Sequence, residues 1–533
     1  MNYMNFDKTA AYKKLADYAK NTNFNFRRKL DAKRVEECVV PMSAGLTYSW
    51  AAKAVNEECV VLLQELANEQ ELIAKYKALL NGEMMNTGEK RKVLHQLLRG
   101  EQCNPVIENG TAGEASRGKN IGEFYRNELS RLCDFASAVH SGKFKGATGK
   151  PFTTVVQIGI GGSDLGPRAM YLALENWAIT EGKKHLDAKF ISNVDPDDAS
   201  AVIASCNLEQ CLFILVSKSG TTQETLANEL FVKDKLKKAG LDPSKHMIAV
   251  TSETSPLARN SAYLDSFYID DYVGGRYSSS SAVGGCVLSL AFGPGVFKDF
   301  LTGAAEADKL ALNEDILKNA ALFDALIGVW ERNFLNYPYT AVLPYSQALS
   351  RFPAHLQQMD MESNGKRVNR SGEHVNYETG PVVFGEPGTN GQHSFYQLLH
   401  QSTSVIPLQF IGFTESQRGD DVSVDGSVSQ TKLAANLAAQ IVAFAKGQDS
   451  DDKNKEFPGG RPSSLIYGKR LTPAALGSLL AHYENKVMFQ GFVWNLNSFD
   501  QEGVQLGKIL TKKVLSGNFG DNALEAYSKI LGV

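Results

Sequence analysis

A run of β-branched and apolar residues that ends in a cluster of glycines constrains the chain more than any other feature. Residues 155–167 read VVQIGIGGSDLGP, and residues 168–172, RAMYL, have the composition of a helix. The order is therefore strand, tight turn and helix N-terminus. Glycine allows a positive φ and a close approach of a ligand to the main chain, and the free N–H groups and the dipole of a helix start favour an anion. The turn is a candidate phosphate site.

Three interpretations of this turn stay open when it is taken alone. Gly159 and Gly161 begin the dinucleotide-binding pattern G-x-G-x-x-G, but Asp164 stands where the third glycine belongs. The turn can therefore bind a nicotinamide nucleotide, bind a smaller phosphate ester, or have a structural role only.

A second strand–turn–helix unit favours the phosphate ester. Residues 211–216 read CLFILV, a buried-strand run, and residues 217–225, SKSGTTQET, precede another helical segment. Hydroxyl and backbone N–H donors suit the oxygens of one phosphoryl group. Serine and threonine also cap helices, but one cap needs only one hydroxyl. This turn has four, on Ser217, Ser219, Thr221 and Thr222.

Together, the two turns resemble the glucose-6-phosphate isomerase (phosphoglucose isomerase) family. The segments GIGGSDLGP and SKSGTTQET carry the resemblance, which continues downstream over most of the chain. It implies a sugar-isomerase α/β fold and the reversible isomerisation of D-glucose 6-phosphate and D-fructose 6-phosphate, in glycolysis and gluconeogenesis. The reaction proceeds by ring opening and an enediolate, and no step requires a metal or redox cofactor. The resemblance also implies a homodimer whose active sites lie near the subunit interface, with a histidine contributed by the neighbouring subunit.

The composition excludes several classes of protein. The chain has 533 residues, 43% of them hydrophobic and 22% charged, with a net charge of −3, which is typical of a soluble globular protein. No basic stripe indicates nucleic acid, and no polybasic or long apolar segment indicates a membrane. The seven cysteines are odd in number and contain no CxxC pair, which favours reduced thiols in the cytoplasm. The nine histidines lack metal-binding spacing. We therefore expect a cytoplasmic protein with no metal, no nucleic acid and no membrane partner.

The distribution of helical and strand patterns predicts four parts. Helical spacing at residues 51–80 and 90–99 predicts helices near the N-terminus, with a loop at 102–118. Farther on, strands alternate with helices, which predicts two doubly wound, mostly parallel α/β sheets. Ligands of such sheets bind beyond the carboxyl ends of the strands, where both glycine turns lie. The predicted parts are a helical N-terminal segment packing on the core (1–115), a first α/β domain with the phosphate loops (116–297), a second α/β domain with the catalytic residues (298–515) and a helical tail (516–533).

One arginine stands out in residues 273–284, VGGRYSSSSAVG, which precede an apolar helix. An exposed surface residue is the simpler interpretation of Arg276. At the mouth of an anion site, however, its permanent charge and forked donors favour a ligand, and the resemblance implies an arginine in this motif. We expect Arg276 to reach the substrate.

The resemblance assigns functions to residues in three further segments. Residues 357–366, QQMDMESNGK, taken alone are typical of a solvated turn, but the resemblance places a catalytic Glu362 and a substrate-binding Gln358 there. His393 follows a Gly/Pro loop and is predicted to open a helix, whose N-terminus lowers the pKa of an imidazole and keeps it neutral. Lys508 lies on a predicted helix, where a solvated lysine is the simpler interpretation. The resemblance implies an active-site lysine instead.

The resemblance assigns a role to each candidate. Glu362 would be the base that carries a proton between C1 and C2, and it suits that task if partial burial raises its pKa. Arg276 would stabilise the enediolate. His393 and Lys508 would move the protons of ring opening. The remaining residues would bind sugar hydroxyls (Gln358 and Gln501) or phosphate (Gly162, Ser163, Ser217, Lys218, Ser219, Gly220, Thr221 and Thr222).

Two alternatives from other functional classes remain. A noncatalytic sugar-phosphate sensor would keep the Ser/Thr turn but would not need Glu362, His393 and Lys508 together. A nicotinamide-dependent oxidoreductase would need the complete glycine pattern and an acidic residue about 20 residues farther on. Asp187 lies only loosely in that range.

Overall fold

The computed structural model describes residues 1–22, 25–100 and 118–533. Within these ranges the chain forms a five-stranded sheet, a six-stranded sheet and a small hairpin, with helices packed against both large sheets. The predicted α/β class with mostly parallel strands is confirmed. The loop predicted at 102–118 lies outside the described residues, except for Gly118.

The described part of the N-terminal segment contains five α-helices and one short pair of antiparallel strands. The prediction of a helix at 90–99 is wrong, because Asn86 and Arg91 form an isolated bridge and His95–Leu98 form a single 3₁₀ turn. The N–H of Leu94 donates to the carbonyl of Tyr272, so tertiary contacts override the helical propensity of this stretch. The elements are α1 (Ala10–Asn21), α2 (Phe26–Lys29), α3 (Ala32–Glu37), β1 (Val39–Pro41), β2 (Thr47–Ser49), α4 (Glu57–Glu69) and α5 (Leu72–Leu80).

The five-stranded sheet contains both glycine turns. Its elements are α6 (Ile121–His140), β3 (Thr154–Ile158), α7 (Leu165–Thr180), β4 (Asp187–Ile191), α8 (Pro196–Ala204), β5 (Cys211–Val216), α9 (Gln223–Lys238), β6 (Met247–Thr251), β7 (Ser266–Tyr268) and α10 (Ala282–Phe292). The strand order is β4-β3-β5-β6-β7, and every neighbouring pair is parallel. All six residues of the central strand β5 are buried, as expected where helices cover both faces of a parallel sheet.

The six-stranded sheet combines the C-terminal half of the chain with the N-terminal hairpin. The remaining elements are α11 (Pro294–Leu310), α12 (Ala320–Asn333), β8 (Tyr339–Tyr345), α13 (Phe352–Leu356), α14 (Glu362–Asn364), β9 (Val382–Phe384), α15 (Tyr396–Gln401), β10 (Leu408–Phe413), β11 (Ser423–Val424), β12 (Ser427–Val428), α16 (Ser429–Lys446), β13 (Ser463–Gly468), α17 (Pro473–Val493), α18 (Gln505–Leu515) and α19 (Asn522–Leu531). The order is β1-β2-β13-β10-β8-β9. Strands β8, β9, β10 and β13 run parallel, and β2 joins β13 antiparallel.

Helix α17 belongs to the largest hydrophobic core of the described residues. Nearly all of its residues are buried, and it packs on α11 and α12. Two glycines let α11 and α17 touch through their backbones. A Cβ on Gly303 would lie 1.9 Å from the carbonyl oxygen of Ala474, and a Cβ on Gly477 would lie 1.9 Å from that of Phe300. The division proposed between residues 297 and 298 falls inside α11 and stays a prediction.

The last two helices are exposed. No residue of α18 is buried, and large apolar side chains face outward, with Leu506 66% and Ile530 77% exposed. Among the described helices, none combines the length and apolar character that crossing a membrane requires.

Candidate functional site

The glycine turn after β3 contacts the chain before Arg276. It forms a 3₁₀ turn over Gly161–Ser163 and leads into α7. A Cβ on Gly162 would lie 2.2 Å from the carbonyl carbon of Gly275, so this glycine is needed for a close approach of two backbones. The carbonyl of Ser163 accepts a hydrogen bond from Gln157 at 2.8 Å.

The residue that breaks the dinucleotide pattern has a partner of its own. Asp164 precedes α7 and makes no side-chain cap there. Its Oδ1 lies 2.7 Å from Nη2 of Arg168. Burial raises the pKa of Asp164, and the charge of Arg168 opposes that rise. A carboxylate therefore occupies the helix start that a dinucleotide pyrophosphate would need.

The hydroxyl groups of the turn after β5 form hydrogen bonds within the turn itself. Gly220 has φ +67°, and its N–H donates to Ser217 Oγ at 3.1 Å. Thr221 Oγ1 donates to Ser219 Oγ at 2.9 Å. Thr222 is the N-cap residue of α9, yet its side chain makes no cap hydrogen bond. The hydroxyls of Ser219 and Thr221 are exposed, so capping does not account for this cluster.

Lys218 turns from this loop towards the chain that precedes Arg276. Its Nζ donates to the carbonyl of Val273 at 3.3 Å and lies 3.9 Å from Oδ1 of Asp271. Burial lowers the pKa of Lys218, and the charge of Asp271 opposes this. Lys218, Arg276 and Gln501 line one small cavity of about 20 Å³.

Arg276 is buried, and three acceptors hold its guanidinium. Its Nε donates to Ser363 Oγ at 2.6 Å. Its Nη2 donates to the carbonyls of Ser498 at 2.7 Å and Asp500 at 2.9 Å. The interpretation as an exposed surface residue is therefore wrong, since Arg276 is only 2% exposed. Two serines that follow Arg276 form local hydrogen bonds. Ser278 Oγ donates to the Gly275 carbonyl, and Ser281 caps α10.

Glu362 lies beside the remaining nitrogen of Arg276. The two groups meet as Nη1 and Oε2, 3.5 Å apart, and the Glu362 side chain is 22% exposed. Oε2 is enclosed and accepts no hydrogen bond from the described residues. A partly exposed carboxylate beside a fixed cation can take up a proton from a bound molecule.

The segment that carries Glu362 is not one continuous α-helix. After α13 it widens into a π-helical turn over Gln357–Met361 and continues as α14. Nε2 of Gln358 lies 3.3 Å from the position a Cβ on Gly161 would take. The π-helical turn therefore sets Gln358 against the first glycine turn and Glu362 against Arg276. Such turns are frequent at functional sites.

The residues after Glu362 are not a solvated turn. Ser363 and Asn364 are fully buried, and Asn364 Nδ2 donates to the carbonyl of Val487 at 2.9 Å. Asp360 is also enclosed, and burial raises its pKa to about 6. No sequence pattern singled out Ser363 or Asp360. The only available signal was their position next to Glu362.

His393 and Lys508 lie apart from this group. His393 ends the 3₁₀ turn Asn390–His393 and is exposed, three residues before α15 begins at Tyr396. The prediction that it opens a helix is therefore wrong, because a turn intervenes. Lys508 is an exposed residue on a helix, as predicted, and no residue of that helix is buried. Within the described ranges, neither side chain forms a hydrogen bond or ion pair with Arg276, Gln358 or Glu362.

Comparison with known proteins assigns the family. Residues 49–529 match the phosphoglucose isomerase family. The chain is 61% identical to glucose-6-phosphate isomerase of Treponema denticola over all of both chains. It is 46% identical to that of Borreliella burgdorferi over 99% of both. Its fold matches the crystal structure of glucose-6-phosphate isomerase from Chlamydia trachomatis with a TM-score of 0.90, at 40% identity over 99% of each chain. The chain therefore belongs to the phosphoglucose isomerase family, whose members interconvert glucose 6-phosphate and fructose 6-phosphate.

Proposed function

We propose that this isomerase interconverts glucose 6-phosphate and fructose 6-phosphate where the glycine turn after β3, Arg276 and the π-helical turn meet. The observation that carries the proposal is the pair Arg276–Glu362, with Nη1 and Oε2 3.5 Å apart. Isomerisation needs a base between C1 and C2 and a positive charge beside it. This pair supplies both.

Glu362 is the proposed base. Its carboxylate removes the proton from C2 of the open-chain aldose and returns it to C1, or the reverse for the ketose. Proton transfer by a positioned carboxylate contributes about 10²–10⁴-fold to a rate. The 22% exposure of the side chain supports access from solvent.

Arg276 is the proposed stabiliser of the enediolate. The negative charge grows on O1 and O2 as the proton leaves carbon, and a fixed guanidinium stabilises that charge without reorganising. Three hydrogen bonds already hold the Nε and Nη2 edges of Arg276. The Nη1 edge is left to face the reacting atoms.

The two glycine turns are the proposed phosphate and sugar contacts. The exposed hydroxyls of Ser219 and Thr221 precede α9, a helix of 16 residues whose N-terminus favours an anion. The other proposed ligands of the phosphate are Gly162, Ser163, Ser217, Lys218, Gly220 and Thr222. Gln358 and Gln501 are proposed to bind sugar hydroxyls. Gln358 lies against Gly161, and Gln501 lines the cavity beside Arg276.

We further propose a homodimer in which a neighbouring subunit completes the site with His393. His393 and Lys508, the proposed groups for ring opening, lie on exposed segments. Helix α18 presents Leu506 and Ile509 to the outside. An apolar cavity of about 490 Å³ beside α16 adds further apolar surface that a second copy can cover. A role in glycolysis and gluconeogenesis makes the cytoplasm the proposed location.

The test is conversion of fructose 6-phosphate to glucose 6-phosphate, followed through a coupled dehydrogenase. Glu362→Gln should reduce kcat by about 10²-fold or more, because the amide cannot accept the proton. The matched control is Glu306→Gln, since Glu306 is an exposed residue on α11. Equal activity of Glu362→Gln and the wild type would reject Glu362 as the base.

A further inference from the structure

A ring of hydrogen bonds encloses Arg276 on the side away from Glu362. Arg276 Nε contacts Ser363 Oγ at 2.6 Å, and Nη2 contacts the carbonyl of Ser498 at 2.7 Å. The hydroxyl of Tyr277 lies 2.8 Å from Ser363 Oγ and 3.4 Å from the same Ser498 carbonyl. Four residues therefore form a closed ring.

The direction of each hydrogen bond in this ring follows from chemistry. Arg276 Nε can only donate, so Ser363 Oγ is its acceptor. The Ser498 carbonyl can only accept, so the Tyr277 hydroxyl donates to it. Ser363 Oγ then donates its proton to the oxygen of the Tyr277 hydroxyl. The order Arg276, Ser363, Tyr277, Ser498 uses each donor once and leaves no conflict.

The ring is closed to solvent. Ser363 is 0%, Tyr277 1% and Arg276 2% exposed. The ring of His95 stacks on Tyr277 with centroids 4.7 Å apart, and burial raises the pKa of Tyr277. Water cannot readily replace a lost hydroxyl here. Removing it leaves the Nε–H of a buried cation without an acceptor, which is more costly than losing a bond between neutral groups.

Ser363 also links two parts of the fold. Arg276 precedes α10 beside the five-stranded sheet, whereas Ser363 follows Glu362 in α14. The bond between them fixes the guanidinium relative to the segment that carries Glu362. With Nε and Nη2 occupied, only Nη1 points towards Oε2.

We propose that Ser363 is a positioning residue for the isomerisation, which holds the Nε edge of Arg276 so that Nη1 faces the developing enediolate. The inference rests on the proposed role of Arg276. Ser363 does not touch the substrate, and it acts through the guanidinium alone. The charged intermediate should therefore depend on the Ser363 hydroxyl, whereas ground-state binding of the sugar phosphate should not.

Two inhibitors separate these effects. Arabinonate 5-phosphate carries a carboxylate where the enediolate carries its charge, and glucitol 6-phosphate is neutral at that end. Inhibition constants for both, with kcat and KM for fructose 6-phosphate, are measured for Ser363→Ala, Arg276→Met and the double variant. The matched control is Ser289→Ala, because Ser289 is a fully buried serine of α10 whose hydroxyl has no partner among the described residues.

Ser363→Ala should lower kcat and the affinity for arabinonate 5-phosphate about tenfold or more, as expected for a lost hydrogen bond to a charged group. KM and the affinity for glucitol 6-phosphate should change little. In the Arg276→Met background the serine change should have no further effect. Tyr277→Phe removes the acceptor of the Ser363 proton and should give the same selective pattern more weakly. This variant tests the proposal even if Ser363→Ala does not fold.

Three results overturn the inference: equal weakening of both inhibitors, no selective loss in either Ser363→Ala or Tyr277→Phe, or a serine effect that persists without Arg276. Failure of the proposed function looks different. Arg276→Met would then bind arabinonate 5-phosphate as tightly as the wild type does, whatever Ser363→Ala shows.

Discussion

The imidazole rings of His140 and His185 lie stacked, with centroids 4.0 Å apart and planes 12° apart. His140 ends α6, and its Nε2 donates to the carbonyl of Leu290 in α10 at 2.8 Å. The backbone N–H of His185 donates to the carbonyl of Ala291 at 2.7 Å. Burial lowers the pKa of both histidines, and the neighbouring His140 lowers that of His185 further. Two charged rings at this distance would repel each other.

We expect this pair to make the fold less stable in acid. Below about pH 6.5 the unfolded chain binds protons on both rings, whereas the folded pair resists them. The two histidines therefore make their full contribution to the free energy of unfolding above about pH 6.5. That contribution is lost as the pH falls through the lowered pKa values of the folded pair. His185→Gln should flatten this part of the pH dependence of the free energy of unfolding. His374→Gln, at an exposed histidine, is the control, and parallel curves for His185→Gln and the wild type would contradict the prediction.

The backbone contact between α11 and α17 predicts a second effect on stability. Gly303→Ala would place a Cβ 1.9 Å from the Ala474 carbonyl oxygen, so the two helices must separate. Overpacking of this kind costs about 1–3 kcal/mol, and the thermal unfolding midpoint should fall. Gly295→Ala is the matched control on the same helix, because no atom lies within 4 Å of its added Cβ. That change should be neutral or slightly stabilising. Equal thermal unfolding midpoints for Gly303→Ala and Gly295→Ala would contradict the predicted effect of this contact on stability.

The fold was predictable where one element has a strong pattern of its own. Strand β5 is a continuous apolar run because both faces of the sheet are covered. Strands β1 and β2 have three residues each, too few for any period to show. Strand β13 begins with Ser463 and Ser464, which are buried but polar. Its place in the sheet is set by the parallel neighbour β10 rather than by its own sequence.

The site was predictable where residue type alone carries the chemistry. A turn with four hydroxyls indicates an anion, and Arg276 in a Gly/Ser loop indicates a contact with that anion. Glu362 had no such signal, since its surroundings read as a solvated turn. The site around Glu362 is formed by the π-helical turn that precedes it and by the buried Ser363 that follows it. Such tertiary arrangements leave no local period in a sequence.

The hydroxyl turn predicts a selective loss of phosphate affinity. Thr221→Val keeps the side-chain shape but removes an exposed hydroxyl near the start of α9. A hydrogen bond to a charged group is worth about 1.5–3 kcal/mol, so KM for fructose 6-phosphate should rise about tenfold or more, with a smaller change in kcat. Inhibition by inorganic phosphate should weaken in proportion. Thr180→Val, at an exposed threonine that ends α7, is the control. An unchanged KM in Thr221→Val would show that the Thr221 hydroxyl does not bind the phosphate.

The exposure of His393 leads to the last prediction, because a residue from a neighbouring subunit can be tested by complementation. His393→Ala and Glu362→Gln should each lose about 10²-fold or more in kcat when each variant is purified alone. If the histidine of one subunit serves the glutamate of the other, a mixed two-fold dimer of the two variants contains one intact site. Equal amounts, unfolded together and refolded, should then recover about a quarter of the wild-type activity, since half of the dimers are mixed. Refolding each variant alone is the control. If both residues instead belong to one subunit, every site in the mixed dimer carries a substitution, and no activity returns.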